Sequence, residues 1–151
     1  MPPLGMSLRL LLAAGLGAAI GLEREYRRKP AGLRTNILIA VGSALFTITS
    51  IQLAAIGGTP DRIAAGIVTG MGFLGGGAIL SAGSHVKGMT TAATIWMNAA
   101  IGMAAGAGEV ALATMATAIT LVVLAVIPAI EAFVERRAGR TDLNDHARRE
   151  M

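Results

Sequence analysis

The stretch that decides the fold, residues 89–130, reads MTTAATIWMNAAIGMAAGAGEVALATMATAITLVVLAVIPAI, and its only charged residue is Glu109. As one α-helix this stretch would be about 60 Å long, twice the roughly 30 Å hydrocarbon core of a bilayer. The chain must therefore break within it, and the segment Gly106-Ala107-Gly108-Glu109 is the best place. We interpret the stretch as two membrane spans, at about residues 90–107 and 110–130.

Three further apolar stretches precede these two, at about residues 4–22, 36–56 and 63–82, and each is long enough to cross a bilayer. Of the 151 residues, 54% are hydrophobic and only 15% are charged, against about 25% charged in typical soluble domains. The sequence therefore predicts an all-α, polytopic membrane protein. Its domains are a five-helix transmembrane domain over residues 1–135 and a short basic cytoplasmic tail over residues 136–151.

The basic residues indicate the orientation of these spans. With five spans, 11 of the 13 Lys and Arg residues fall on one side, which the positive-inside rule assigns to the cytoplasm. The N-terminus is then outside and the C-terminus is cytoplasmic. A cleaved signal peptide at the first span is disfavoured, because cleavage would export the most basic loop. We expect the basic segments to contact membrane lipid rather than nucleic acid.

Residue types needed for many kinds of catalysis are missing or scattered. The chain has no cysteine and only two histidines, and no nucleophile–base pair, metal-ligand cluster or cofactor motif stands out. A G-x-G-x-x-G match at residues 70–75 lies inside an apolar span, whereas a dinucleotide-binding loop joins a strand to a helix. We therefore predict no enzyme activity, no cofactor and no bound metal.

Glycines recur four residues apart, a spacing that lets membrane helices approach closely. We expect the glycine-rich third span to lie at the centre of the bundle, or alternatively to unwind and line a cavity. The same spacing occurs in the first span, at Gly17 and Gly21, and in the fourth, at Gly102 and Gly106. The predicted packing residues of the third span are Gly66, Gly70, Gly72 and Gly76.

Polar residues follow one helical face in two of the spans. Their spacing of three, four or seven allows either hydrogen bonds between helices or a polar lining for a solute path. After the first span, Glu23 could pair with Arg27 and Glu25 with Lys29, or all of them could form an interfacial charge cluster. The polar faces are Asn36, Ser43, Thr47 and Ser50 in the second span, and Thr91, Thr94 and Asn98 in the fourth.

Three blocks of sequence resemble the MgtC/SapB family of bacterial membrane proteins, in order and in spacing. They are GLEREYRRKPAGLRTN at 21–36, GMGFLGGGAI at 70–79, and VKGMTTAATIW at 86–96 followed by AAIG at 99–102. The resemblance implies a multi-pass protein of the bacterial inner membrane with five spans, an outer N-terminus and a cytoplasmic C-terminus. It also implies a link to low magnesium, to survival in macrophages and to membrane energetics, including inhibition of ATP synthase.

The resemblance also implies which residues matter. Positions that match the family pattern, together with Asn98 from the fourth-span face, form a predicted polar cluster at the cytoplasmic ends of the first, second and fourth spans. Asp61 fits the family's acidic residue before the third span and is a candidate on the outer face. The predicted cluster consists of Glu23, Arg24, Arg34, Thr35, Asn36, Thr90, Thr91 and Asn98.

Virulence-associated relatives carry a C-terminal regulatory domain of the ACT type, whereas about 20 residues follow the predicted fifth span here. We therefore expect a short form of the family and do not transfer roles that depend on that domain. The favoured hypothesis is a non-catalytic regulator in magnesium or ion homeostasis, which binds other membrane complexes such as ATP synthase and also suits a homodimer. The alternative is a small transporter or channel for magnesium or another solute.

Overall fold

Five α-helices make up most of the protein in a computed structural model, which describes residues 3–82 and 85–149. A short antiparallel hairpin, with Leu80 opposite Lys87, joins the third helix to the fourth. In chain order the elements are α1 (Pro3–Tyr26), α2 (Leu33–Ala54), α3 (Pro60–Gly77), β1 (Leu80–Ala82), β2 (His85–Lys87), α4 (Met89–Ala107) and α5 (Val110–Arg149).

The predicted all-helical fold is confirmed, and each predicted span overlaps a different helix. Within the described residues, three helical segments are long and apolar enough to cross a membrane: Pro3–Tyr26, Leu33–Ala54 and Val110–Val134. The count of five spans and the orientation of the termini remain predictions. Two boundaries differ from expectation: α3 ends at Gly77, so the end of the predicted third span is strand β1, and α5 continues through most of the predicted tail.

The centre of the bundle is α4, which packs against α1, α2, α3 and α5, whereas α3 packs mainly against α2 and α4. The expected central position of the glycine-rich helix is therefore wrong. Small side chains explain the position of α4, because they let neighbouring backbones approach from several directions. Its buried residues include Thr91, Thr94, Ala99, Gly102, Ala105 and Gly106.

The prediction that the α3 glycines pack against other helices of this chain is also wrong. A methyl group on any of the four would meet no atom within 4 Å, and all four positions are exposed. The reason lies in the helix periodicity: a row of residues four apart, Ile63, Ile67 and Met71, faces the neighbouring helices. Gly75 continues this row and packs on Ala92. The open glycines flank the row on both sides; they are Gly66, Gly70, Gly72 and Gly76.

Helices α2 and α4 run parallel and in close contact. A methyl group on Gly102 would lie 2.9 Å from the Ala40 Cα, and one on Gly106 would lie 2.8 Å from the Ala44 Cα. Partners along this interface are separated by 62 residues in sequence. The glycine pair predicted to allow close packing of α4 is therefore confirmed, and Ala40 and Ala44 are completely buried beneath it.

Candidate functional site

A buried arginine joins α1 to α4 at the end of the bundle that carries the α1–α2 loop. Arg24, in the last turn of α1, is only 4% exposed. One of its terminal nitrogens, Nη2, donates a hydrogen bond of 2.9 Å to the hydroxyl oxygen of Thr91, in the first turn of α4. The Arg24 Nε has no hydrogen-bond partner among the described residues. This contact brings together two residues of the predicted cluster that are 67 positions apart.

An acidic side chain lies next to this arginine. The Glu23 carboxylate is 13% exposed and forms an ion pair with Arg27, whose Nε lies 2.7 Å from Oε1. The two groups are not aligned for a hydrogen bond, and within the described ranges neither Glu23 oxygen accepts one. Arg27 also donates to the Ala125 carbonyl at 3.1 Å, which connects α1 with α5. The predicted pairing of Glu23 with Arg27 is confirmed.

The second predicted pair, Glu25 with Lys29, is replaced by another contact. Because α1 ends at Tyr26, the helical spacing that would bring these two side chains together is lost. The Glu25 carboxylate instead accepts a hydrogen bond of 3.2 Å from the backbone N–H of Leu33. That N–H is the first of α2 and has no partner within the helix, so Glu25 caps α2.

Two asparagines connect the parallel helices α2 and α4. Both are completely buried, and the Asn98 side-chain amide donates to the Asn36 carbonyl at 2.6 Å and to the Asn36 Oδ1 at 3.2 Å. The Asn36 amide in turn donates to the backbone carbonyls of Ala31 and Gly32. The Asn98 Oδ1 has no partner among the described residues. The polar faces of α2 and α4 thus meet each other at this point.

The structure divides the predicted cluster into two groups. Arg34, Thr35 and Thr90 are exposed. Thr35 lines a groove between α2, α3 and α4, whereas Thr90 lines a separate depression against α5. One residue along a helix turns the side chain by about 100°, which separates Thr90 from its neighbour Thr91. The inward-facing group is Glu23, Arg24, Asn36, Thr91 and Asn98.

Asp61, the predicted outer-face residue, lies in the first turn of α3 and is exposed. It borders a depression of about 220 Å³ together with Thr47 and Ser50 of α2 and Ala107 of α4. Since α2 runs from Leu33 to Ala54, this depression lies at the opposite end of the bundle from the Arg24–Thr91 contact.

One polar contact was not predicted from the sequence. Arg9, near the start of α1, donates from Nη1 to the Gly106 carbonyl at 2.8 Å. The guanidinium therefore satisfies a backbone oxygen in the last turn of α4, which has no partner within the helix. A lone arginine within an apolar span was the available signal, because such a charge needs a polar partner.

Comparison with known proteins identifies the family. A family model described as MgtC family matches residues 10–133. The chain is 49% identical to YhiD of Escherichia coli (strain K12), whose name proposes a magnesium transporter, over 126 residues that cover 79% of this chain and 59% of YhiD. It is 45% identical to Protein MgtC of Brucella abortus (strain 2308) over 125 residues, which cover 83% of this chain and 52% of that protein.

The chain therefore spans between half and three fifths of the length of these relatives. No solved structure matches it. The family model covers most of the chain and includes both Arg24 and Thr91 as well as both buried asparagines. The resemblance predicted from three blocks of sequence is thus confirmed. The chain belongs to the MgtC family.

Proposed function

We propose that this chain is a non-catalytic membrane regulator, which acts by binding other membrane proteins in the setting of magnesium homeostasis. Its membership in the MgtC family and the name of its relative YhiD support the magnesium setting. We further propose that all five helices span the bacterial inner membrane, with the N-terminus outside and the basic α1–α2 loop in the cytoplasm.

The observation that carries this proposal is the closed interface between α2 and α4. A solute path along their polar faces would need a cavity that water enters, because an ion in hydrocarbon has no ligands. Here Asn98 bonds directly to Asn36, and Gly102 and Gly106 pack against the α2 backbone. The polar side chains therefore connect helices, which favours an assembly role over conduction along this face.

The open side of α3 supports the binding role. Its four exposed glycines form a surface onto which the backbone of another membrane helix can pack closely. We propose that this surface contacts a second copy of the chain or another membrane complex such as ATP synthase. Apolar Phe73 lies beside it and is 83% exposed.

One observation favours the alternative, a transporter. The Glu23 carboxylate lies at one end of the bundle, where Oε1 pairs with Arg27 and Oε2 has no hydrogen-bond partner among the described residues. Carboxylates are among the ligands that Mg²⁺ prefers. A Glu23 on a conduction path would bind the ion as it enters or leaves the membrane.

Magnesium entry into sealed liposomes separates the two functions. Liposomes would contain the purified chain, its Glu23→Gln variant, the matched control Glu25→Gln, or no protein, with a Mg²⁺-sensitive dye inside. The regulator proposal expects the same entry rate in all four. Protein-dependent entry would contradict it, and loss of that entry in Glu23→Gln alone would establish the transporter and place Glu23 on its path.

The proposed orientation has a separate test, because the chain has no cysteine of its own. Arg28→Cys in the α1–α2 loop and Thr59→Cys in the α2–α3 loop introduce one thiol each, both at exposed positions. In intact cells with a permeable outer membrane, a membrane-impermeant maleimide should label only Thr59→Cys. In inverted inner-membrane vesicles it should label only Arg28→Cys, and the opposite pattern would reverse the topology.

A further inference from the structure

A groove of about 520 Å³ opens on the surface between α2, α3 and α4. Its lining is apolar apart from Thr35, and several of its side chains are exposed because no helix in the described part of the chain covers them. The groove lies beside the first two turns of α2 and of α4 and the last turns of α3. Its apolar lining includes Leu38, Ile39, Phe73, Leu74, Gly77 and Ile95.

Two basic residues lie at the end of this groove. Arg34 is exposed and lies four residues before Leu38, on the face of α2 that lines the groove. Lys87 is also exposed and directly precedes Gly88, which packs on the backbone of Ala78 at the end of α3. Ala78 itself lines the groove. Both basic residues are therefore exposed and lie next to residues at this end of the groove.

Two acidic side chains of α1 lie at the same end of the bundle, and Glu23 pairs with Arg27. Glu25 caps the N-terminus of α2 through the Leu33 N–H, on the side from which α1 arrives. The groove lies on the other side of α2, where α3 and α4 pack. The two basic side chains, rather than the α2 backbone, are thus available to a negatively charged group at the groove's end.

We propose that this groove binds one anionic phospholipid of the inner leaflet, with an acyl chain in the groove and the headgroup phosphate between Arg34 and Lys87. Basic pockets between membrane helices on the cytoplasmic side are suited to such headgroups. The site rests on the proposed orientation, in which this end faces the cytoplasm, and the maleimide experiment tests that orientation separately.

The charges beside the groove favour a lipid over a helix from a second copy. An apolar membrane helix packed along the groove would offer no counter-charge to Arg34 and Lys87, whereas a lipid phosphate neutralises both. A flexible acyl chain also fills an apolar groove without needing a matching shape.

Lipid retention by the purified full chain tests the proposal. The protein in detergent is mixed with phosphatidylglycerol or with phosphatidylcholine of identical acyl chains, and bound lipid is counted by native mass spectrometry. We expect one phosphatidylglycerol to be retained in preference. Each basic side chain should contribute roughly fivefold, so the double variant Arg34→Gln/Lys87→Gln should bind it about 25-fold more weakly. Arg28→Gln, an exposed charge on the α1–α2 loop, is the charge control.

A second variant tests the groove itself. Gly77→Leu places a side chain into the groove from a position where a Cβ meets no atom within 4 Å, so the fold is preserved. Gly72→Leu is its matched control, because Gly72 is equally open but lies five residues earlier, on another face of α3. We expect lipid retention to be lost in Gly77→Leu and kept in Gly72→Leu.

Three results would overturn the proposal. They are equal retention of the two lipids, unchanged phosphatidylglycerol binding in Gly77→Leu, and a monomer–dimer equilibrium that Gly77→Leu shifts while lipid binding stays constant. The last result would assign the groove to a second copy of the chain. None of the three bears on magnesium entry into liposomes, so the outcome is independent of the regulator and transporter alternatives.

Discussion

Replacing Gly102 by alanine tests the α2–α4 interface on which the proposed function depends. The added methyl group would lie 2.9 Å from the Ala40 Cα and 3.0 Å from its carbonyl carbon. These are backbone atoms, which no rotation of a side chain can move away. The two helices must therefore separate, and the Asn98–Asn36 hydrogen bonds one turn earlier must lengthen.

Two contributions lower the free energy of unfolding of Gly102→Ala and one raises it. Overpacking of a close interface costs about 1–3 kcal/mol, and weakening of a hydrogen bond between membrane helices costs about 0.6 kcal/mol. Alanine recovers about 1 kcal/mol over glycine in helix propensity. The free energy of unfolding should thus fall by about 0.6–2.6 kcal/mol.

Gly15→Ala in α1 is the matched control, because a methyl group at the exposed Gly15 meets no atom within 4 Å. It retains only the propensity gain of about 1 kcal/mol. Thermal unfolding of the detergent-purified variants, followed by far-UV circular dichroism, should therefore show Gly102→Ala melting about 3–14 °C below Gly15→Ala. Equal melting temperatures, or a higher one for Gly102→Ala, would refute the close contact between α2 and α4.

Two further predictions concern the buried polar contacts. Thr91→Val removes the acceptor of the Arg24 hydrogen bond and should lower the free energy of unfolding by about 1–3 kcal/mol. Thr90→Val, at an exposed position, is the control and should change it little. Equal effects of the two substitutions on unfolding by denaturing detergent would contradict the contact. In a double-mutant cycle, Asn36→Ala and Asn98→Ala should show a coupling of about 0.6–1.7 kcal/mol, and strictly additive effects would mean that the two side chains do not interact.

The positions of the helices and the polar faces of α2 and α4 were predictable, because both follow from residue spacing alone. The spacing of Asn36 and Asn98 within their spans indicated a buried face on each helix, and these faces meet. The pairing of Glu23 with Arg27 was likewise predictable from their spacing of four. The Arg27 backbone N–H donates to the Glu23 carbonyl, so the helical spacing holds up to Arg27.

Other features depend on the rotation of each helix about its axis and on which helices pack together, and residue spacing reveals neither. All the glycine pairs have the same four-residue spacing, yet only some of them face a neighbour, because the direction of contact in α3 is set by the larger residues Ile63, Ile67 and Met71. Arg34 matched the family pattern as well as Arg24 did, but Arg34 is exposed and Arg24 is buried. A sequence motif indicates that a residue matters to the family, but it does not give the direction of the side chain.

The parallel arrangement of α2 and α4 has a consequence for the order in which the protein is built. Antiparallel α1 and α2 can pair as soon as both have been synthesised, but α2 meets α4 only after α3 and the hairpin have returned the chain to its starting side. Until then, the Asn36 oxygen that later receives Asn98 has no partner from α4. We expect the nascent chain to stay with the insertion machinery until α4 arrives, so that a ribosome-bound chain ending before residue 89 is shielded and a released one is degraded.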